Sequence, residues 1–460
     1  MSERLLLSVP TLAVLVAALW SSRRRSPLSP TVVALGATAV VATFFPLLSA
    51  LVRPQSWRHG VHLSSEHVLA AQVQYLGFAL GLAATCASLR LRRAPLVARA
   101  SRPLPRRGRP GPTAADARAR DGIVAAGLVV GGALLYSVYV WKVGLGPLLD
   151  RSNFAEKYRV SSGLGTFYAG LNLILAGCLW AEASDLARRS KNVFRACAFG
   201  VLVWAVFFIA VRTYAATLVL GYLYLWTVRR GFTLSRVRPT LVLLVALSYV
   251  GVEAYALLRS VWHGGIGSAV EALHDQASQA DRMLGQVIGG SEFSHPFLTQ
   301  MELGRYEQPG ALGGASYLQG VHGLAPSWLV PDRGPTVAQT FARSHYPELA
   351  ERGGGTAFSL VGEAWWNFGS FVGPLLLGLL CGALLSRLER SLRTVPLGVP
   401  SRIVPYALHL VLLAHRNSSA SLLKQAFVVA LPLALLLCAA ALLRGASRTR
   451  RPRLAPLEVS

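Results

Sequence analysis

The segment GEAWWNFG, residues 362 to 369, sets a carboxylate, two tryptophans and an asparagine just ahead of a long apolar run. On one continuous helix from 359 to 386, Ser359, Glu363 and Asn367 would recur at i, i+4 and i+8 and form a polar stripe. Such a stripe implies a wet face, and a carboxylate on it can exchange a proton. Other ionisable groups cluster in short stretches. FFIAVRTYAATL carries Arg212 and Tyr214, FARSHYPEL carries Arg343 and His345, and LLAHRNSSASLLKQAF carries His415, Arg416 and Lys424. Charges near a membrane core are costly, so they are usually interfacial, paired or functional. Each also has a plainer reading. An arginine in a tight turn is solvated, Lys424 snorkels to the surface, and Trp365, Trp366 and Tyr214 form an interfacial belt.

The elements that must position these groups are membrane helices. The chain has 460 residues, 53% hydrophobic and 15% charged, with a mean hydropathy of +0.45, which is too apolar for a soluble protein of this size. A bilayer core takes roughly 20 mostly apolar residues per helix. Runs of that kind recur at 4–20, 31–52, 67–88, 122–141, 164–183, 193–211, 213–228, 239–258, 368–386, 399–415 and 421–443. The expected fold is all-α, a polytopic integral membrane protein of about eleven transmembrane helices, with a large ordered outer loop between the eighth and ninth. If the helices alternate, the arginine-rich loops, from SSRRRS near the start to the tail RGASRTRRPR, fall on one side. The positive-inside rule makes that side cytoplasmic, so the N-terminus is expected outside and the C-terminus inside the cytoplasmic membrane. The cluster RRR at 23–25 follows the first apolar run instead of preceding it, so that run reads as a retained anchor.

The expected organisation is N-terminal membrane helices at 1–88, a disordered Pro/Arg-rich cytoplasmic linker at 89–121, central helices at 122–259, an outer cap at 260–357, C-terminal helices at 358–443 and a basic tail at 444–460. The cap holds nine Asp and Glu against five Arg, with aromatics such as Tyr306, Tyr317, Trp328 and Tyr346. A connection this long and this aromatic is expected to be ordered and functional, with short helices near 266–288 and 335–350.

Several classes are excluded. The net charge of +25 sits mostly in short cytoplasmic loops without a nucleic-acid motif, so no nucleic-acid partner is expected. All five cysteines lie inside expected helices, which leaves neither a disulfide framework nor a metal site. There is no phosphate loop, zinc helix, nucleophile elbow or outer Asp-x-Asp pair, so no metal or other cofactor is expected.

The run from GASYLQGVHGLAPSWLVPDRG to GEAWWNFGSFVGPLLLGLLCG, with VRTYAATL upstream and HRNSSAS downstream, resembles the Wzy family of O-antigen, or oligosaccharide repeat-unit, polymerases. The likeness covers the C-terminal half, while the first 120 residues match only as generic membrane helices. It implies joining of repeat units carried on polyprenyl diphosphate at the outer membrane face. The partners implied are that lipid-linked oligosaccharide, membrane lipid, a chain-length regulator and a flippase. Departure of a diphosphate releases negative charge that an arginine fork can hold, which suits Arg212, Arg416 and Arg343. A positioned carboxylate can take the acceptor hydroxyl's proton. Glu363 is the candidate base, with His345 as the alternative. Asn367, Tyr214, Trp366 and His415 complete the expected substrate-binding set. A flippase or transporter, and a ligase that moves a finished glycan, remain as alternatives. A transporter would favour internal repeats and mid-membrane charges, and neither is evident.

Overall fold

The described residues are helical, and no strand occurs among them. The computed structural model describes residues 7–22, 25, 27–44, 46, 65–91, 114–149, 164–205, 212–233, 294–325, 330, 334–351, 356–394 and 398–449. The N-terminal and central helices are α1 Ser8–Ser21, α2 Pro30–Ala39, α3 Ser65–Leu91, α4 Ala114–Val143, α5 Gly170–Ala183, α6 Arg188–Val203 and α7 Arg212–Arg229. Short helices follow, α8 Ser294–Tyr306, α9 Ala315–His322, α10 Val337–His345 and α11 Leu360–Phe368, and then α12 Val372–Thr394, α13 Val399–Leu413 and α14 Ser419–Thr449. Within α3, α4, α12 and α14 are four stretches long and apolar enough to cross a membrane, and four shorter apolar helices accompany them. The chain is thus a multi-pass, all-α membrane protein. The expected eighth helix, at 239–258, and the cap helix at 266–288 lie outside the described residues.

Two seams of glycine hold the bundle. On α3, a side chain at Gly77 or Gly81 would run into the backbone of Phe371 or Leu375, and on α12 one at Gly378 would run into the backbone of Phe78. The G-x-x-x-G spacing of Gly77 with Gly81 and of Gly378 with Gly382 therefore brings two backbones together, a recurrent solution where lipid offers no hydrophobic drive for association. Gly132 of α4 and Gly170 of α5 meet each other's carbonyls in the same way. Around the second seam lies a core of Trp180, Tyr139, Leu175 and Leu179, and around the first a core of Tyr75, Phe78, Phe297 and Leu82.

Two expectations about element boundaries change. The polar stripe does not lie on one helix from 359 to 386. It breaks at Gly369, whose φ of 95° is readily accessible only to glycine, and α12 folds back so that Gly373 sits on the Ala364 carbonyl. The expected linker also ends early: α4 begins at Ala114, and Asp121 is buried, so 114–121 is helix. The physical reason is an ion pair. Asp121 bonds Arg402 of α13 at 2.6 Å, both side chains almost fully buried. Glu389 with Arg25 (2.7 Å), and Glu182 with Arg195 and Arg229 (2.9 and 2.8 Å), compensate other buried acids at that same end of the bundle. The basic loops thus fasten helices together as well as carrying charge.

Candidate active site at the cap end

Glu363 is completely buried, and its position follows from local signals. Ser359 caps α11, its hydroxyl accepting the Gly362 N–H at 3.0 Å, and Gln300 of α8 donates to that same hydroxyl at 3.0 Å. One turn on, Glu363 faces two other elements. Ser316 of α9 donates its hydroxyl to Oε1 at 2.6 Å. Ser419, the first residue of α14, donates its backbone N–H to Oε2 at 2.6 Å and its hydroxyl to Oε1 at 2.8 Å. A helix start leaves N–H groups without partners and carries partial positive charge, so a carboxylate there is favoured on both counts. Burial raises the proton affinity of Glu363 above the ordinary carboxylate range, and the bonds from Ser316 and Ser419 partly oppose that shift.

Asn367 completes the stripe. Its amide donates to Ser316 Oγ and to the Glu363 carbonyl, both at 2.7 Å, and its Oδ1 accepts the Gly314 N–H at 2.9 Å. Gly313 and Gly314, at φ of 52° and 93°, make the turn that delivers Ser316 to the carboxylate. The stripe is therefore polar as expected, but buried: Ser316, Ser419 and Gln300 bond its side chains from other elements.

The remaining expected residues divide into three places. Arg416 is half-buried in the turn between α13 and α14, which also binds α11 through Leu360 N–H to Ala414 O at 3.0 Å. His415 in that turn is a packing residue, not an open substrate contact. It lies between Tyr75, Phe78 and the Thr38 hydroxyl. Trp366 of α11 packs against Phe341 and Phe358 and is 4% exposed, so its ring belongs to the core shared with α8 and α10 and presents no open face to a sugar. His345 bonds Glu307 at 2.8 Å and stacks on Tyr306, and Arg343 stands exposed on the same helix. Arg212 opens α7, though its side chain lies outside what is described. Tyr214, in the first turn of α7, lines a cavity of about 220 Å³ together with Tyr168, Asn172, Thr213, Lys424 and Gln425.

Sequence reading missed Ser316, Ser419 and Gln300. Serines are too common to signal a site alone, and these meet Glu363 or Ser359 only across the fold.

What the helices and the cap-end network define is a polytopic membrane protein with a buried acid where the short helices meet the membrane bundle. Residues 338–444, from α10 into α14, match the family described as O-antigen polysaccharide polymerase Wzy. No curated protein and no solved structure matches the chain. The matched segment contains Glu363, Asn367, Arg343, His345 and Arg416.

Proposed function

We propose that the chain polymerises polyprenyl-diphosphate-linked oligosaccharide repeat units into O-antigen polysaccharide at the outer face of the cytoplasmic membrane. The observation that carries this reading is the Wzy family match across a segment that holds Glu363, Asn367 and Ser419. In the proposed step, the acceptor sugar hydroxyl attacks the anomeric carbon of the donor. The bond from that carbon to the diphosphate breaks, and the diphosphate leaves with the electron pair.

Glu363 takes the acceptor's proton. Its Oε1 already accepts a hydroxyl from Ser316, so an acceptor sugar would take the Ser316 position on the same oxygen. That requires α9 to move at the Gly313–Gly314 turn. Asn367 then orients the carboxylate or the sugar, and His345 is the second candidate base. Arg416, Arg212 and Arg343 hold the departing charge. The proposal further places the N-terminus and the cap outside, and a chain-length regulator and a flippase alongside. Purified protein given a polyprenyl-linked repeat unit tests the function directly. A ladder of products supports polymerase, one transferred product means a ligase, and movement without bond formation means a flippase.

A further inference from the structure

Glu182 lies at the end of the bundle away from Glu363. Ser419, which bonds Glu363, opens α14, and the first turns of α5 and α7 meet α14 near that start, so their last turns lie at the other end. Three cations converge on Glu182 there. Arg195 of α6 donates Nε to Oε2 at 2.9 Å and Nη2 to Oε1 at 3.0 Å, and Arg229 of α7 donates Nη1 to Oε1 at 2.8 Å and Nη2 to the Glu182 carbonyl. Lys191 reaches that same carbonyl at 3.2 Å. We propose that this cluster is the headgroup site of an anionic phospholipid, with Arg195 and Arg229 holding the lipid phosphate.

The cations outnumber the acids they bond. Residues 182–195 and 229–230 hold six Lys and Arg against two acids, Glu182 and Asp185, and residues 231–252 add two arginines and no acid. Nor does Glu182 use up its partners. The bonds to it, with one from Arg195 to Asn192, take three of the five guanidinium N–H groups of Arg195 and two of those of Arg229, and the two side chains remain 46% and 49% exposed. A buried carboxylate that fixes two forks side by side orders them in advance for a second anion, and a phosphate takes paired N–H donors.

The flanks of the cluster say which phosphate. Helix α6 is basic over its first two turns and apolar from Ala196 to Val203, so Phe199 comes one turn, about 6 Å, beyond Arg195, and it is exposed. On α7 the exposed Trp226 comes one turn before Arg229 and Arg230 and packs on Phe232, the place of an interfacial tryptophan. A free phosphate gains nothing from such flanks. A phospholipid uses both parts, its phosphate at the arginines and its acyl chains along Phe199 and Trp226.

Native mass spectrometry of the full-length, detergent-purified protein tests this, with phosphatidylglycerol, phosphatidylcholine and inorganic phosphate as the added probes. Phosphatidylglycerol should be retained over phosphatidylcholine by at least about fivefold, the effect of one basic residue at an anionic surface. Arg195→Gln, Arg229→Gln and Glu182→Gln together, which leave no buried charge unpaired, should abolish that preference. Arg305→Gln, at an exposed cation of α8 in the cap region, should keep it. Should the triple variant fail to fold, Arg189→Gln with Arg230→Gln removes two exposed cations that make no described side-chain bond, and should lower the preference at an unchanged unfolding temperature. Equal retention of the two lipids by the wild type overturns the proposal, as does a preference that survives both sets of substitutions or is lost equally in Arg305→Gln. Full competition by inorganic phosphate at the lipid's own concentration also overturns it, in favour of a plain anion site. None of these readouts involves polymer formation.

Discussion

Glu363 of α11 closes the N-terminus of α14 by accepting both the backbone N–H and the hydroxyl of Ser419. One carboxylate thus ties a short helix of the cap end to the last membrane helix, while Ser316 brings α9 to the same oxygen.

Glu363→Gln keeps the shape and an acceptor oxygen, so the protein should fold and bind lipid-linked substrate while chain growth falls at least roughly a hundredfold. Glu363→Ala should additionally lower stability, by about 1–3 kcal/mol for each buried donor left without a partner. Polymer yield in cells and thermal unfolding in detergent read the two effects. A glutamine variant that polymerises normally would make Glu363 a cap alone and turn attention to His345.

Arginine at 212 and 416 is proposed for its fork as much as its charge. Arg212→Lys and Arg416→Lys should lose nearly as much polymer as the alanine variants at equal expression. Full activity in both lysine variants leaves only general electrostatic attraction.

Gly378→Leu drives a side chain into the Phe78 backbone on α3 and should destabilise the bundle by about 1–3 kcal/mol or more. Gly200→Leu on α6, with open space around it, should be near neutral. Equal unfolding temperatures for the two would contradict the seam.

Orientation is testable at exposed sites. A cysteine at Leu318, 67% exposed on α9, should react with an impermeant thiol reagent in intact cells, and one at Ser190, exposed in the first turn of α6, should not. Reversed labelling would invert the membrane topology and remove the outer active site.

The stripe of Ser359, Glu363 and Asn367 was legible in the sequence because helical spacing is local. Its burial was not, since the groups that cover it come from residues 316 and 419, far away along the chain. Gly369 was in view within the quoted segment, but whether a glycine bends a helix or packs within it depends on its neighbours, and here Gly373 on Ala364 decides. Trp366 was misread because an aromatic beside a membrane run looks the same as a belt residue or a core residue until its partners, Phe341 and Phe358, are known. Asp121 among arginines was a signal for a buried ion pair that composition hid inside an apparent linker. The apolar runs themselves were the easiest to read, because lipid demands long uninterrupted helices.

The glycine seam between α3 and α12 also sets an order of events at the ribosome. Helix α3 enters the bilayer while its partner, beyond the entire middle of the chain, has yet to be synthesised. Its Gly77 and Gly81 face must wait in lipid, and the Arg25–Glu389 clasp cannot form until α12 has been inserted too. Nascent chains halted before residue 372 therefore hold an unfinished bundle, with the earliest helices inserted but unmated, and this is the stage at which a membrane quality-control protease would find the protein most open to attack.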